Sequence, residues 1–335
     1  MADDAVKDII EVKRLSKKFG KLVAVDDVSF SVRKGEIFGF LGPNGAGKTT
    51  TINILCTLMR PTRGRVILNG YDVVKQSNQV RQSVGLVFQD PSLDIKLSAM
   101  QNLQFHTGVY NVPRGVARKR IVKVLKMVDL WDRRNDTVQN YSGGMRRRLE
   151  IGRGLLHYPR VLFLDEPTLG LDPQTRAHIW EYILDLRKRL NITVFLTTHY
   201  MEEANVADRI AIIDHGKIIA LDTPEALKRM VGGDVITLTT DDPEAAIAEL
   251  KGKHGIEAKQ DSDGIHFEVP NGEKFIAALV REFKSSLQGI SMRRPTLDDV
   301  FLKLTGREIR EEAGGEAVLK RAWAMRQASG GKGFH

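Results

Sequence analysis

Residues 42–50 read Gly42-Pro43-Asn44-Gly45-Ala46-Gly47-Lys48-Thr49-Thr50, with glycines placed ahead of a lysine and two hydroxyls. The spacing is G-x-x-x-x-G-K-[ST], a loop whose backbone can wrap an oligophosphate. Glycines at 42, 45 and 47 permit backbone conformations that a Cβ would block, so successive N–H groups of the loop, those of Gly42, Asn44, Gly45, Ala46 and Gly47 but not Pro43, can turn inward on phosphate oxygens. Lys48 has the reach to meet β- and γ-phosphates, Thr49 can ligate Mg²⁺, and Thr50 can add a phosphate contact. The apolar run Glu36–Leu41 before the loop predicts a buried strand, and Thr51–Leu55 after it predicts a helix whose positive N-terminus faces the anion.

Three further runs end in polar side chains. Val161–Glu166 is an apolar strand closed by paired carboxylates, Asp165 to hold Mg²⁺ and Glu166 to polarise an attacking water. Val84–Gln89 predicts a strand finishing in Gln89, placed to touch metal or water, and Thr193–Thr198 predicts one followed by His199. Ligands gather beyond the carboxyl ends of strands in open α/β sheets, which unites these residues, although a histidine in such a place also serves structure alone. A second anion site is legible at Ser142-Gly143-Gly144, where Ser142 caps a helix and two glycines bare its backbone N–H groups. Asp172 with Pro173 reads as the start of another helix. Phe19, upstream of the loop, either stacks on a purine or fills a core.

Composition bounds the rest. A chain of 335 residues holds about two domains. One cysteine, Cys56, excludes an internal disulfide and fits a reducing compartment. No apolar run approaches the ~18 residues that cross a bilayer, and the acidic start is unlike a signal peptide, so a cytoplasmic protein is expected. The net charge of +9 resides in residues 111–160, where thirteen Arg and Lys face four acids. Such a patch suits nucleic acid, anionic lipid, an acidic partner loop, or simply a solvated helix face.

The remaining elements follow from periodicity. Ile9–Phe30 reads as two strands turning at Phe19-Gly20-Lys21, and Gly64–Gly70 as a strand ending in an Asn-Gly turn. Leu97–Leu156 is helical, with Ile121, Val124, Leu125, Val128 and Leu130 as an apolar stripe. Beyond Pro224 the pattern changes to Val235–Thr240 strand, Pro243–Lys251 helix, Ile256–Lys259 and Ile265–Val269 strands, Glu273–Phe283 helix and Ile290–Arg293 strand. That βαββαβ order predicts a small ferredoxin-like α+β domain. Thr296 and Asp299 form a capping box for a further helix, and Glu308–Arg326 predicts one more, carrying Trp323, before a flexible glycine-rich end.

Taken in order and spacing, the phosphate loop, Gln89, Tyr141–Met145, Val161–Glu166, Leu169–Asp172 and His199 make Ile9–Glu225 resemble the nucleotide-binding subunit of an ATP-binding cassette (ABC) transporter. The resemblance implies an α/β P-loop NTPase fold with a RecA-like core, an antiparallel β subdomain and a helical subdomain over residues 1–230. A ferredoxin-like domain over 234–305 and a helix with a tail over 306–335 would follow. It implies ATP and Mg²⁺ as ligands, the latter on Thr49, Gln89 and Asp165, with Glu166, His199 and Gln89 catalytic. It also implies a head-to-tail homodimer in which Ser142, Gly143 and Gly144 of one copy, with Asp172, complete the site holding Lys48 in the other, and in which Phe19 stacks on adenine. Tyr141 and Met145 depart from the family's usual Leu and Gln, and Phe19 from its Tyr. Asp90–Asp94, Ser142–Arg148 and Pro295–Phe301 resemble the daunorubicin-resistance type of exporter ATPase, which partners a separate ABC-2 permease. The expected function is therefore ATP hydrolysis energising export of a drug-like, lipid-like or other hydrophobic compound, at the inner face of the cell membrane and peripheral to it, with Asp90–Asn102 as the permease contact. A soluble nucleic-acid-associated ABC ATPase is the alternative suggested by the basic segment, though nucleic acid is disfavoured by a single cassette with one cysteine. A polysaccharide-export ATPase is a further alternative.

Overall fold

The structure, a computed structural model, describes residues 8–261, 264–283 and 287–306. The expected helix at Glu308–Arg326 and the glycine-rich end lie outside these residues.

Strands β1 (Asp8–Phe19) and β2 (Leu22–Arg33) form the first hairpin, with Gly20 and Lys21 at its bend. They join β4 (Arg63–Leu68) and β5 (Tyr71–Asp72) in an antiparallel sheet ordered β2-β1-β4-β5. The Asn-Gly turn between β4 and β5 has φ of 49° at Asn69 and 83° at Gly70, the double left-handed conformation that favours this pair.

The apolar runs become the second sheet. Its strands are β3 (Ile37–Leu41), β6 (Val84–Val87), β7 (Val161–Asp165), β8 (Thr193–Thr198), β9 (Arg209–Asp214) and β10 (Lys217–Asp222), ordered β10-β9-β3-β8-β7-β6. All pairings are parallel except β9 with β10. Parallel strands are covered on both faces, which explains why β3, β7 and β8 are buried along their whole length. Between the two sheets lies an aromatic stack: Phe38 of β3 sits 5.4 Å from Phe30 of β2 and 5.5 Å from Phe195 of β8, itself 5.3 Å from Phe163 of β7.

Helices α1 (Lys48–Leu55) and α2 (Ser77–Ser83) contribute Ile52, Ile54, Leu55 and Val80 to that layer. The stretch expected to be helical from Leu97 divides into α3 (Ala99–Val109), α4 (Arg114–Met127) and α5 (Gly143–Leu155). The predicted stripe Ile121, Val124, Leu125, Val128 and Leu130 is their shared core. The opposite face of α4 exposes Arg114, Arg118, Lys119, Lys123 and Lys126 to solvent. On the far face of the parallel sheet pack α6 (Pro173–Leu190), the short α7 (Met201–Ala204) and α8 (Pro224–Val231).

The C-terminal elements are β11 (Asp234–Thr240), α9 (Pro243–His254), β12 (Lys259–Asp261), β13 (Gly264–Val269), α10 (Gly272–Glu282) and β14 (Leu287–Arg293). The sheet order β12-β13-β11-β14, antiparallel throughout, is that of the expected ferredoxin-like unit. One boundary differs. Ile256 is not in a strand, because Gly255 ends α9 in the left-handed conformation and the Ile256 N–H turns back to the Leu250 carbonyl, making Ile256 the hydrophobic residue of a helix stop. The last described helix, α11 (Leu297–Thr305), buries Leu297, Val300 and Phe301 with α7 and α8 rather than on the C-terminal sheet. Lys303 donates to the Met230 and Val231 carbonyls at the end of α8.

Phe195 is fully buried at the centre of the aromatic stack. Phe195→Ala is expected to cost about 3–5 kcal/mol, read as a fall in the urea midpoint.

Candidate active site

The parallel register of β3, β6, β7 and β8 brings four chain segments to one edge of the sheet. Leu41 pairs with Thr198 and Asp165 with Thr197, so Gly42, Glu166 and His199 all begin just past neighbouring strand ends. Gln89 was expected as the last residue of its strand. Instead β6 stops at Val87, and Gln89 lies two residues beyond it, exposed, because only Val84 to Val87 have partners on β7.

The loop has the shape that its glycines require. Gly47 has φ of 106°, and a Cβ there would come 2.4 Å from the Ala24 carbonyl; one at Gly42 would come 2.2 Å from the Ile213 carbonyl. Lys48 is 5% exposed and folds back on the loop, its ammonium donating to the carbonyls of Gly42 at 2.8 Å and Pro43 at 3.2 Å. It lies 3.2 Å from Glu166 Oε1. The other Glu166 oxygen is 2.8 Å from His199 Nδ1; a carboxylate only accepts, so Nδ1 carries the hydrogen. Burial works to raise the Glu166 pKa, but the His199 hydrogen bond and the Lys48 charge outweigh it, and the carboxyl lies below its usual range. Its neighbour goes the other way: burial pushes Asp165 up, against hydrogen bonds from Thr197 and Thr49. The adjacent carboxyls are thereby shifted in opposite directions. Glu166 itself has φ of 45°, unusual for a residue with a side chain, and its N–H is held by Thr197.

A cleft of about 460 Å³ is lined by Phe19, Leu22, Ala24, Asn44, Gly45, Gly47, Lys48, Thr49, Thr50, Gln89 and Glu166. Pro43 and Ala46 of the same loop are not in that lining; the Ala46 N–H bonds to the Pro43 carbonyl. Phe19 is 44% exposed at the cleft rim, with the Lys17 ammonium 5.0 Å from its ring centre, so it fills no core. A second cleft beside the first joins Thr49, Gln89 and Asp165. These three offer only oxygen donors to a cation, the set that suits a hard divalent ion shared with phosphates.

The second anion site, the signature turn Ser142-Gly143-Gly144, is elsewhere. Ser142, Gly143 and Gly144 open α5 outside both of these clefts, with the Ser142 hydroxyl accepting from the Met145 N–H at 3.3 Å. The paired glycines have a reason beyond bare N–H groups: Cβ atoms there would meet Leu171 at 3.0 Å and Thr175 at 2.8 Å. Asp172 is exposed and holds the Thr175 N–H at 2.9 Å, capping α6. Tyr141, one of the departures from the family pattern, is buried with its hydroxyl donating to the Arg133 carbonyl at 2.7 Å.

Sequence reasoning missed four residues. Thr197 donates to Asp165 Oδ1 at 2.5 Å. Buried Glu203 accepts from Thr198 at 2.7 Å and from Thr168, joining the segment after β7 to that after β8. Arg147 and Glu150 form a buried pair at 2.8 Å. Their i,i+3 spacing on α5 was the available signal, obscured by the arginines on either side.

Known proteins resemble this chain over most of its length. Residues 25–169 match the family model described as ABC transporter, and residues 223–305 that described as ATP-binding protein DrrA1-3-like, C-terminal domain. The chain is 42% identical over 316 residues to the doxorubicin resistance ATP-binding protein DrrA of Mycobacterium tuberculosis, covering 91% of this chain and 95% of that one. It is 40% identical over 322 residues to the daunorubicin resistance ATP-binding protein DrrA3 of Streptomyces coeruleorubidus, covering 93% and 100%. A solved ATP-binding cassette, a dimer in a post-hydrolysis state bound to ADP and Pi, superposes with a TM-score of 0.57 at 28% identity, covering 64% of this chain and 98% of that one. The nucleic-acid and polysaccharide alternatives gain no support from these relatives.

Two outcomes test the site. Gly47→Ala forces a side chain against the Ala24 carbonyl at a left-handed φ, so it is expected to abolish binding of a fluorescent ATP analogue and to lower stability by about 1–3 kcal/mol. The Glu166 carboxyl is depressed on folding, so its contribution is complete above its ordinary 4.5 and is lost as pH falls through the lower folded value. Asp165 titrates in both proteins, and its upward shift comes chiefly from burial, which both share, with the Glu166 charge a smaller cause. The stability gap between wild type and Glu166→Gln is therefore level from neutral pH to about 5 and narrows below it in chemical denaturation; a gap that widens with acid contradicts the assignment.

Proposed function

The chain belongs to the ATP-binding subunits of ABC transporters, of the daunorubicin-resistance type, and from that premise we propose how its site works and with what. It is an ATPase that energises export. Two copies close head to tail over two ATP molecules and drive a drug-like hydrophobic compound through a separate ABC-2 permease. The protein works at the cytoplasmic face of the cell membrane; no helix among the described residues is long and apolar enough to cross one. The chain divides near residue 230 into the ATPase domain and a smaller regulatory or dimer-stabilising one.

One observation carries the dimer: Ser142, Gly143 and Gly144, the second anion site, line neither cleft that holds the phosphate loop. A site built from both therefore takes its signature turn from another copy, with Asp172 at the same seam. Phe19 stacks on the adenine, and Gly42 to Thr50 hold the phosphates. Thr49 and Asp165, with Gln89, would hold Mg²⁺, which when bound neutralises phosphate charge.

In the resting site Lys48 binds Glu166 and the loop carbonyls. The γ-phosphate of ATP draws Lys48 away, removing the cation that lowers the Glu166 pKa and making that carboxylate a stronger base. Glu166, steadied by His199, orients water and takes up its proton as the water oxygen bonds to the γ-phosphorus and the bond to ADP breaks. Gln89 contacts the same water. Loss of the γ-phosphate removes what joins the copies, so hydrolysis reopens the dimer.

The test is ATPase rate against protein concentration, with Glu166→Gln run on size exclusion with ATP and Mg²⁺. A rate rising more steeply than concentration, and a stable ATP-bound Glu166→Gln dimer that Ser142→Arg abolishes, are expected. Strict proportionality with a monomeric Glu166→Gln protein, with or without permease, contradicts the shared site.

A further inference from the structure

We infer that Arg147 is a positioning residue that ties the signature turn, where one ATP is held, to Glu166 and Gln89 around the other; this rests on the two-copy reading. Arg147 lies on α5 one turn past Gly143 and Gly144 and is 7% exposed. Its Nε donates to the Pro167 carbonyl at 2.6 Å, one terminal nitrogen to the Phe88 carbonyl at 2.7 Å and Glu150 Oε2 at 2.8 Å, and the other to the Asp165 and Glu166 carbonyls at 3.2 Å each. A guanidinium has five N–H donors, and these five bonds use all of them. Glu150 extends the hold, its second oxygen accepting from the Ser92 N–H at 2.9 Å.

One buried ion pair on one turn of α5 thus grips the backbone on both sides of Gln89 and three successive carbonyls at the end of β7. Among those carbonyls is that of Glu166, whose left-handed φ is intrinsically unfavourable. Removing the grip leaves the Glu166 carbonyl with one 3.3 Å bond from the Leu169 N–H, and the conformation held chiefly from its N–H side. The four bonds that leave α5 go to main chain, so they read where α5 sits and not which side chains the loops carry. A buried pair of this kind gains little over well-packed apolar residues, which points to geometry rather than stability as its contribution. When the partner's γ-phosphate seats on the N-terminus of α5, any shift of the helix moves the Glu166 and Gln89 backbones with it.

The test uses the full chain. Arg147→Lys keeps the charge but offers at most three donors from one point. Binding of a fluorescent ATP analogue to the dilute protein is expected to be unchanged, because Arg147 lines neither nucleotide cleft. The rate constant kcat is expected to fall roughly 100-fold with KM little altered, and the Hill coefficient for ATP to fall from about 2 towards 1. Arg147→Met with Glu150→Leu removes both charges and strands neither, so it is expected to keep the wild-type melting temperature while showing the same kinetic losses. Either variant folded with wild-type kcat and Hill coefficient overturns the inference, as does a kcat that falls only in step with nucleotide binding or melting temperature. A wild type with a Hill coefficient of 1 and a monomeric Glu166→Gln protein overturns the two-copy reading and this coupling together. A cooperative wild type with unaffected variants overturns the coupling alone.

Discussion

A lysine ammonium with 5% of its surface exposed has to be paid for by partners, and in this protein those partners define the site. Lys48 takes two carbonyls from its own loop and one oxygen of Glu166, and Glu166 gives its other oxygen to His199. Each contributor stands just past a different strand end, so the arrangement exists only while β3, β7 and β8 run parallel and in register. The aromatic stack of Phe30, Phe38, Phe163 and Phe195 holds that register from beneath. An antiparallel neighbour, or a slip of one residue, would send one of these groups to the opposite edge or face.

The same charge balance makes the site responsive. Lys48 and His199 keep Glu166 ionised and engaged, while burial keeps Asp165 protonated more readily than an ordinary carboxyl. A polyanion entering the cleft competes for Lys48 and changes the balance on Glu166 at once. Around this centre the loops are bound by buried polar groups to more than one element: Glu203 joins Thr168 to Thr198, and Arg147 with Glu150 joins α5 to the ends of β6 and β7. Such groups cannot relax one at a time, since breaking one leaves a desolvated partner.

Much of this was legible in the sequence because it is local. Strand, loop and helix around residues 36–55 follow from an apolar run, glycine spacing and a basic-hydroxyl pair, and the caps at Ser142, Asp172 and Thr296 are short-range hydrogen bonds. The βαββαβ order of the C-terminal unit was read from period alone, and its sheet order agrees. Where periodicity met a local competitor it failed: Ile256 is apolar like a strand residue, but the left-handed Gly255 turns it into a helix stop.

What the sequence determined by itself was therefore the inventory: which residues can bind phosphate, hold a cation or move a proton, and which element carries each. The tertiary structure alone decided their pairings. Nothing near Lys48 in sequence announces Glu166 or His199 as its neighbours, and nothing in three consecutive arginines marks Arg147 as the one that turns inward to five acceptors. It also decided that Ser142 and Gly143 stay exposed, apart from the cleft of Lys48. The physical reason is range: turns, caps and periodicity act within a few residues, whereas pairing across strand ends depends on the order of the sheet.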